Sequence, residues 1–250
     1  MAPQTGHTPY DSDQHNPDQH NHGQHNHGQH DNAHHDAVEQ YLETVLELEE
    51  FGIVPMRARI VERLGVSAPA VSETVKRLER EGYLTMDSAR VLHLTVSGRA
   101  YATTVLRRHR LAELLLVDVL KVPWSEVHEE ACRLEHAISE NIERHLVALL
   151  GDPGTCPHGN PIPGSANLVI DPRPIQPLGT VPVGTSCVLR RIDEHLQTQL
   201  EHMRTLEREH LLPGQPVLVV ASSKGALTLE VEGRTVMLGA EVAAKIWVTL

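Results

Sequence analysis

Between Val38 and Thr95, three stretches of helical periodicity, each cut short by backbone punctuation, are followed by two short strand-like runs, and few architectures accept that order. Val38, Leu42, Val45, Leu46 and Leu48 recur at a period of about 3.6 residues, with glutamates between them. Gly52 and Pro55 end that helix. A second, over 56–64, stops at Gly65; a third begins after Ser67, carries Pro69 in its first turn, where proline is pre-set for a helix, and runs to Gly82. Tyr83–Met86 and Val91–Leu94 then read as strands joined by the turn Asp87–Arg90. Three helices closed by such a hairpin predict a winged helix-turn-helix over 37–100.

Downstream, 101–165 reads as a helical domain interrupted at Pro123 and closed by the Gly/Pro-rich run Gly151–Gly164. Residues 166–182 read as a linker, and 183–250 as a small β-rich domain with strands at 186–190, 216–221, 227–231 and 235–238 and a helical interval over 194–208. The chain is thus expected to be α+β.

Residues 1–36 differ from everything after them. They hold nine of the eighteen histidines, five aspartates, no lysine or arginine, and almost nothing apolar, so disorder is expected. A flexible histidine-rich segment can also hold transition ions, although a merely solvating extension has the same composition. The overall charge of −11 suits a nucleic-acid partner poorly, but residues 37–110 carry eleven Lys/Arg against ten Asp/Glu, so the acidity lies largely elsewhere. No secretory signal or membrane span is visible, and three separated cysteines point to a reducing cytoplasm.

In a helix-turn-helix the second helix enters the major groove. Val71, Val75 and Leu78 form the inward face of that helix here. Ser67, Pro69, Ala70 and Ser72 form its tip, and Glu73, Arg77 and Arg80 lie along its other faces. Arg57 precedes it, with Arg59 and Arg63 on the same short helix, and Arg90 sits at the hairpin tip, where a wing meets phosphate or minor groove. These cations neutralise phosphates, and the small residues permit close approach. Glu73 accepts from cytosine N4 but repels phosphate.

The run from Val127 to His136 carries the chemistry. On a helix, His128, Cys132, Glu135 and His136 share one face, and His109 and Glu113 have the same i, i+4 relation on the preceding helix. Mixed nitrogen, oxygen and sulfur donors suit a divalent transition ion rather than calcium or magnesium. Two other readings remain at this level: a winged-helix regulator whose donor cluster is only structural, and a metal-dependent hydrolase. No motif for binding a substrate accompanies the donors, which argues against an enzyme.

Residues 37–164 resemble the diphtheria toxin repressor family of iron- and manganese-dependent regulators. The resemblance rests on Glu39–Val45, Arg57–Leu64, His109–Glu113, Val127–Cys132 with Glu135 and His136, and Gly159–Gly164. More loosely, the C-terminal strands are similar to that family's Src-homology-3-like barrel. The resemblance implies a homodimer that binds a palindromic operator when iron(II) or manganese(II), or a substituting divalent ion, fills two sites per subunit. It assigns Cys132, Glu135 and His136 to the activating site, with Gln40 at the position held by methionine in iron-type members and aspartate in manganese-type ones. It assigns His109, Glu113 and His128 to an ancillary site, with Gln199 and His202 as its donors from the barrel. Glu73 stands where the family usually has glutamine.

Overall fold

The computed structural model describes residues 27–169 and 171–250, with side chains from residue 37 onward. Helix α1 (His27–Glu50) begins ten residues before the expected edge of the disordered tail. Once apolar packing fixes residues 38–50, adding a residue to an existing helix costs far less than starting one, so the helix extends into polar sequence. The rest of that tail, with its proposed metal role, lies outside the described residues.

Helices α2 (Arg57–Leu64) and α3 (Ala68–Arg80) form the helix-turn-helix, joined by Gly65 at φ 64°. Ser67 caps α3 by accepting from the Ala70 N–H, and Pro69 follows in the first turn. Strands β1 (Leu84–Met86) and β2 (Leu92–Leu94) pair antiparallel as the wing. Leu42, Val45, Ile60, Val71, Val75, Leu78, Leu84 and Leu92 close the core of this head, as the spacing predicts.

Helix α4 (Val96–Leu114) starts at a Thr95 cap and crosses the boundary expected at residue 100. A Cβ at Gly98 would lie 2.0 Å from the Tyr83 carbonyl oxygen, so only glycine lets α4 sit this tightly on the wing. After α4 come a π-helical turn (Leu115–Val119), a 3-10 turn (Trp124–Glu126), α5 (Val127–Leu134), a second 3-10 turn (Glu135–Ala137) and α6 (Glu140–Leu150).

The barrel begins earlier than the expected linker end at 182. Strand β3 (Gln176–Pro177) pairs with β8 (Ile246–Thr249), and Leu178 and Val181 are buried in the barrel core. The remaining elements are β4 (Ser186–Ile192), α7 (Glu194–Gln197), α8 (Leu200–Arg208), β5 (Pro216–Ser222), β6 (Ala226–Val231), β7 (Arg234–Gly239) and α9 (Ala240–Ala243). The antiparallel sheet has the order β3-β8-β4-β5-β6-β7. Bulges at Leu189/Arg191 and Val219/Ala221 bend it around a wholly apolar core.

The barrel is locked to the helices by charge. Arg110, fully buried on α4, donates to Glu50 at 2.7 Å, to Glu194 at 2.7 Å and to the Pro161 carbonyl. Arg191 also reaches Glu50, at 3.2 Å, and stacks over Phe51. Arg63, grouped by sequence with the DNA-facing arginines, instead makes a bidentate pair with Asp193 at 2.6 and 2.8 Å. Its outward neighbours on α2 keep solvent, while its own face meets the barrel.

Candidate metal centre and nucleic-acid interface

Helix α4 turns His109 and Glu113 inward, and α5 crosses it with His128 and Cys132 on the facing side. His109 Nε2 lies 3.3 Å from Glu113 Oε1 and 3.2 Å from His128 Nδ1, and Cys132 Sγ is 3.7 Å from His128 Nε2. The 3-10 turn that ends α5 swings Glu135 across to His109 Nδ1 at 2.6 Å. His136 Nε2 is 3.5 Å from Glu135 Oε1, and its Nδ1 pairs with Glu39 of α1.

Two groupings the residue spacing did not show emerge. The donor atoms of His109, His128 and Cys132 lie within 4.8 Å of one another, and so do those of Glu43, His109 and Glu135. Cys132 thus sits among ligands assigned to the ancillary site, and His109 bridges the two sets. Glu43 is one residue that sequence reading missed. It faces inward from α1, one turn after Gln40, and its Oε1 is buried without a hydrogen-bond partner among the described residues. Gln40 is exposed and lines, with Glu43, His109, His128, Cys132 and Thr198, a cavity of about 140 Å³.

Gln199 and His202 are not brought to this centre. His202 is exposed, and the Gln199 amide donates to the His195 carbonyl at 3.4 Å. The place beside Glu113 goes to His158, whose Nδ1 is 3.0 Å from Glu113 Oε1. The barrel contributes α7 and its edge instead, through Glu194, His195 and Thr198.

Protonation follows from crowding charges out of water. Burial raises Glu43 well above the usual carboxylate range, and Glu135 adds to the rise. Burial also raises Glu113, but His158, His109 and His128 outweigh it and hold the carboxyl well below its ordinary value. For His109 and His128 burial favours the neutral ring; Glu135 and Cys132 overcome it at His109, and Cys132 with Glu113 takes His128 up to about 10. Burial pushes the Cys132 thiol up, yet His128 and His109 bring it down to about 6. The cluster holds carboxylates, a thiolate and imidazoles around orphaned oxygens, and this donor set fits a divalent transition ion.

The other interface is the exposed side of α3 and the wing. Ser67, Pro69, Ala70, Glu73 and Arg80 are exposed. Ser72 accepts from Arg57 at 3.3 Å and donates to the Ala68 carbonyl, so both lie at the helix start. Arg77 leans toward Glu81, its Nε 3.9 Å from the carboxylate. Arg90 stands at the wing tip with φ 65°. Among the described residues, no helix is long and apolar enough to cross a membrane.

A head that presents a helix to DNA, joined to helices that gather transition-metal donors, defines a metal-responsive DNA-binding regulator. Three family models match in succession: the iron dependent repressor N-terminal DNA binding domain over 35–92, the iron dependent repressor metal binding and dimerisation domain over 95–164, and the FeoA domain over 176–250. The iron-dependent repressor IdeR of Mycobacterium tuberculosis is 44% identical over 203 residues, covering 78% of this chain and 88% of its own. The diphtheria toxin repressor of Corynebacterium diphtheriae is 40% identical over 206 residues, covering 80% and 91%. Among solved structures, a manganese-dependent transcriptional repressor in complex with manganese superposes with a TM-score of 0.74 at 32% identity, covering 85% of this chain and 99% of its own. IdeR of T. acidophilum superposes at 0.68 with 28% identity, covering 85% and 97%. The chain belongs to the iron-dependent (diphtheria toxin) repressor family. It is a metal-dependent, DNA-binding transcriptional regulator with a dimerisation domain, and its class is not enzymatic.

Proposed function

We propose that iron(II) or manganese(II) activates this protein through Cys132, Glu135 and His136, completed from α1 by Glu43 and Gln40. His109, Glu113 and His128 hold the second ion of each subunit. The observation that carries this reading is the buried junction where Glu43, whose Oε1 lacks a hydrogen-bond partner among the described residues, meets Glu135 and His109 and shares a cavity with Cys132. Such an excess of acid inside a protein calls for a cation. Glu43 and Gln40 offer hard oxygens and Cys132 a soft sulfur, so the donor set admits both ions.

The bound ion supplies a fixed positive charge that the carboxylates and thiolate can share. Helix α1 carries the consequence. Its Tyr41, Leu42, Val45 and Leu46 belong to the core of the head, while Gln40, Glu43 and Glu47 border the cavity beside Cys132. Holding Glu43 against Glu135 therefore fixes the head on the dimerisation helices, and metal and DNA bind cooperatively. In a two-fold dimer, two copies of α3 address two half-sites, so the operator is a palindrome read by Ser67, Pro69, Ala70, Ser72 and Glu73, with Arg57, Arg77, Arg80 and Arg90 on phosphates. The regulated genes are those of metal homeostasis.

The test is an anaerobic mobility-shift titration of the protein's own upstream DNA with iron(II), manganese(II) and zinc(II). Binding that persists unchanged in excess chelator sinks the proposal.

A further inference from the structure

Among the described residues, the buried polar side-chain atoms without a hydrogen-bond partner sort by kind. The oxygens, of Glu43, Glu113, Glu194 and Gln197, all lie at or beside the metal centre. Of the nitrogens, Arg77 Nε leans toward Glu81 on α3, but His195 Nδ1 and Trp247 Nε1 belong to residues that border one cavity elsewhere. An indole N–H only donates, and an imidazole nitrogen can. Stranded acceptors call for a cation; stranded donors call for an anion.

That cavity, of about 230 Å³, lies in the seam between the head and the barrel. Leu48, Arg59 and Arg63 line it from the head, and His195, Lys245 and Trp247 from the barrel. We propose that it binds a small tetrahedral oxyanion of the phosphate class, held by Lys245, Trp247 and His195.

Three observations support the site. First, the carboxylates in its wall are already satisfied. Asp193 takes Arg63 on both oxygens, at 2.6 and 2.8 Å, and its Oδ1 also accepts the His195 N–H at 2.8 Å. Glu62 takes Arg59 at 2.8 Å. Lys245 has no ion-pair partner among the described residues. Three fixed cations, Arg59, Arg63 and Lys245, therefore face two carboxylates, Glu62 and Asp193, and the wall keeps a net positive charge.

Second, the donors are held in place. Trp247 stacks on Phe51, ring centroids 5.2 Å apart, and its strand pairs with both β3 and β4. His195 is set by the Asp193 cap at the start of α7. The Lys245 backbone donates to the Val242 carbonyl and accepts from the Asp193 N–H. Groups fixed this way are ready for a ligand before it arrives.

Third, the positive field reaches the cavity. Burial holds the His195 ring below its ordinary value, and Lys245 and Arg63 push it further down, with only Glu62 opposing them. The three donors stand on α7, on the turn before β8 and on β8, and a tetrahedral anion can offer a separate oxygen to each. No residue of α3 or the wing lines the cavity, so the ligand is a free anion and not a phosphate of bound DNA. No residue assigned to metal lines it either, so the site is independent of the activation reading. An anion bound there joins the barrel's donors to the arginines of α2 and tightens the seam.

The test titrates the full-length, metal-free, isotope-labelled protein with sodium phosphate at constant ionic strength and follows the indole N–H resonances. The chain has two tryptophans, and Trp124 gives its Nε1 proton to the Pro157 carbonyl, so Trp247→Phe assigns the pair. We expect the Trp247 resonance to move and saturate, the Trp124 resonance to stay, and the melting temperature to rise with phosphate. Lys245→Ala should weaken phosphate about tenfold, the loss of one hydrogen bond from a charged group. If that variant does not fold by circular dichroism, Lys245→Gln takes its place with the same expectation. No saturable movement, an equal response to acetate or chloride, or an unchanged phosphate affinity in the Lys245 variant overturns the site and leaves the cavity to water.

Discussion

The barrel and the helical junction are both buried, but they are filled with opposite material. The barrel interior is Leu, Val, Ile and Met, with Ala243 and Cys187 among them, from Leu178 to Val248. The junction of α1, α4 and α5 buries Glu43, His109, Glu113, His128 and Glu135 within a few ångströms. Transfer of apolar surface, at about 25 cal/mol per Å², holds the first together whatever the solution contains. The second holds together by matching charges, and that match depends on which cations are present. A structural domain and a sensing domain are thus distinguished by what they bury.

The sharpest way to break this contrast is to remove donors. Cys132→Ala/Glu135→Ala should lose metal-dependent operator retardation, a coupling on the order of 5- to 150-fold, while circular dichroism stays native. Normal metal-dependent binding by that variant would remove the junction from the mechanism. Next in size is Arg110→Ala, which leaves the buried Glu194 without its cation and the half-buried Glu50 with Arg191 alone. It should cost roughly 3–5 kcal/mol in urea unfolding, because Glu194 is stranded. Leu229→Ala in the barrel should cost a similar ~2–5 kcal/mol through its cavity, yet leave the metal response of the folded fraction unchanged.

Glu43→Gln sharpens the comparison through pH. Glu43 has its folded value raised above 4.5, so the metal-free native state binds the extra proton, and its stability falls as pH rises above that ordinary value. The amide removes this loss, so the melting temperature of the metal-free variant should depend less on pH, while its metal response weakens. A steeper profile in the variant would refute the assignment. Smallest is a rate effect: alkylation of Cys132 in the metal-free protein should rise with pH around a midpoint of about 6, and bound metal should suppress it. A midpoint near an ordinary thiol's value would show that His128 and His109 do not act on the sulfur.

Much of this was legible in the residues. Val71, Val75 and Leu78 announce the inward face of α3, and the i, i+4 pair His109–Glu113 announces its own helix face, because local periodicity dictates both. Glu43 was not legible: among the glutamates of α1, spacing shows a polar face but not that α5 lies across from it. His158 escaped because a Gly/Pro-rich loop has no period to read. Gln199 and His202 were placed by resemblance, but in the structure His202 faces solvent and Gln199 is turned to its own turn's backbone. The early start of the barrel was hidden because β3 is only two residues long.

Helix α4 gives these local chemistries mechanical reach. It runs without a break from the Gly98 contact with the wing to the donors His109 and Glu113, eleven residues from the first to His109, or about 16 Å at 1.5 Å per residue. Because the wing is clamped at one end, the helix acts as a lever with its load at the DNA. A tilt of about 5° where the donors close would carry the wing by roughly 1.4 Å over that span, half the length of a hydrogen bond. Across a dimer two such displacements add, so a change small enough to pass for thermal motion at the metal centre becomes a mismatch at the DNA.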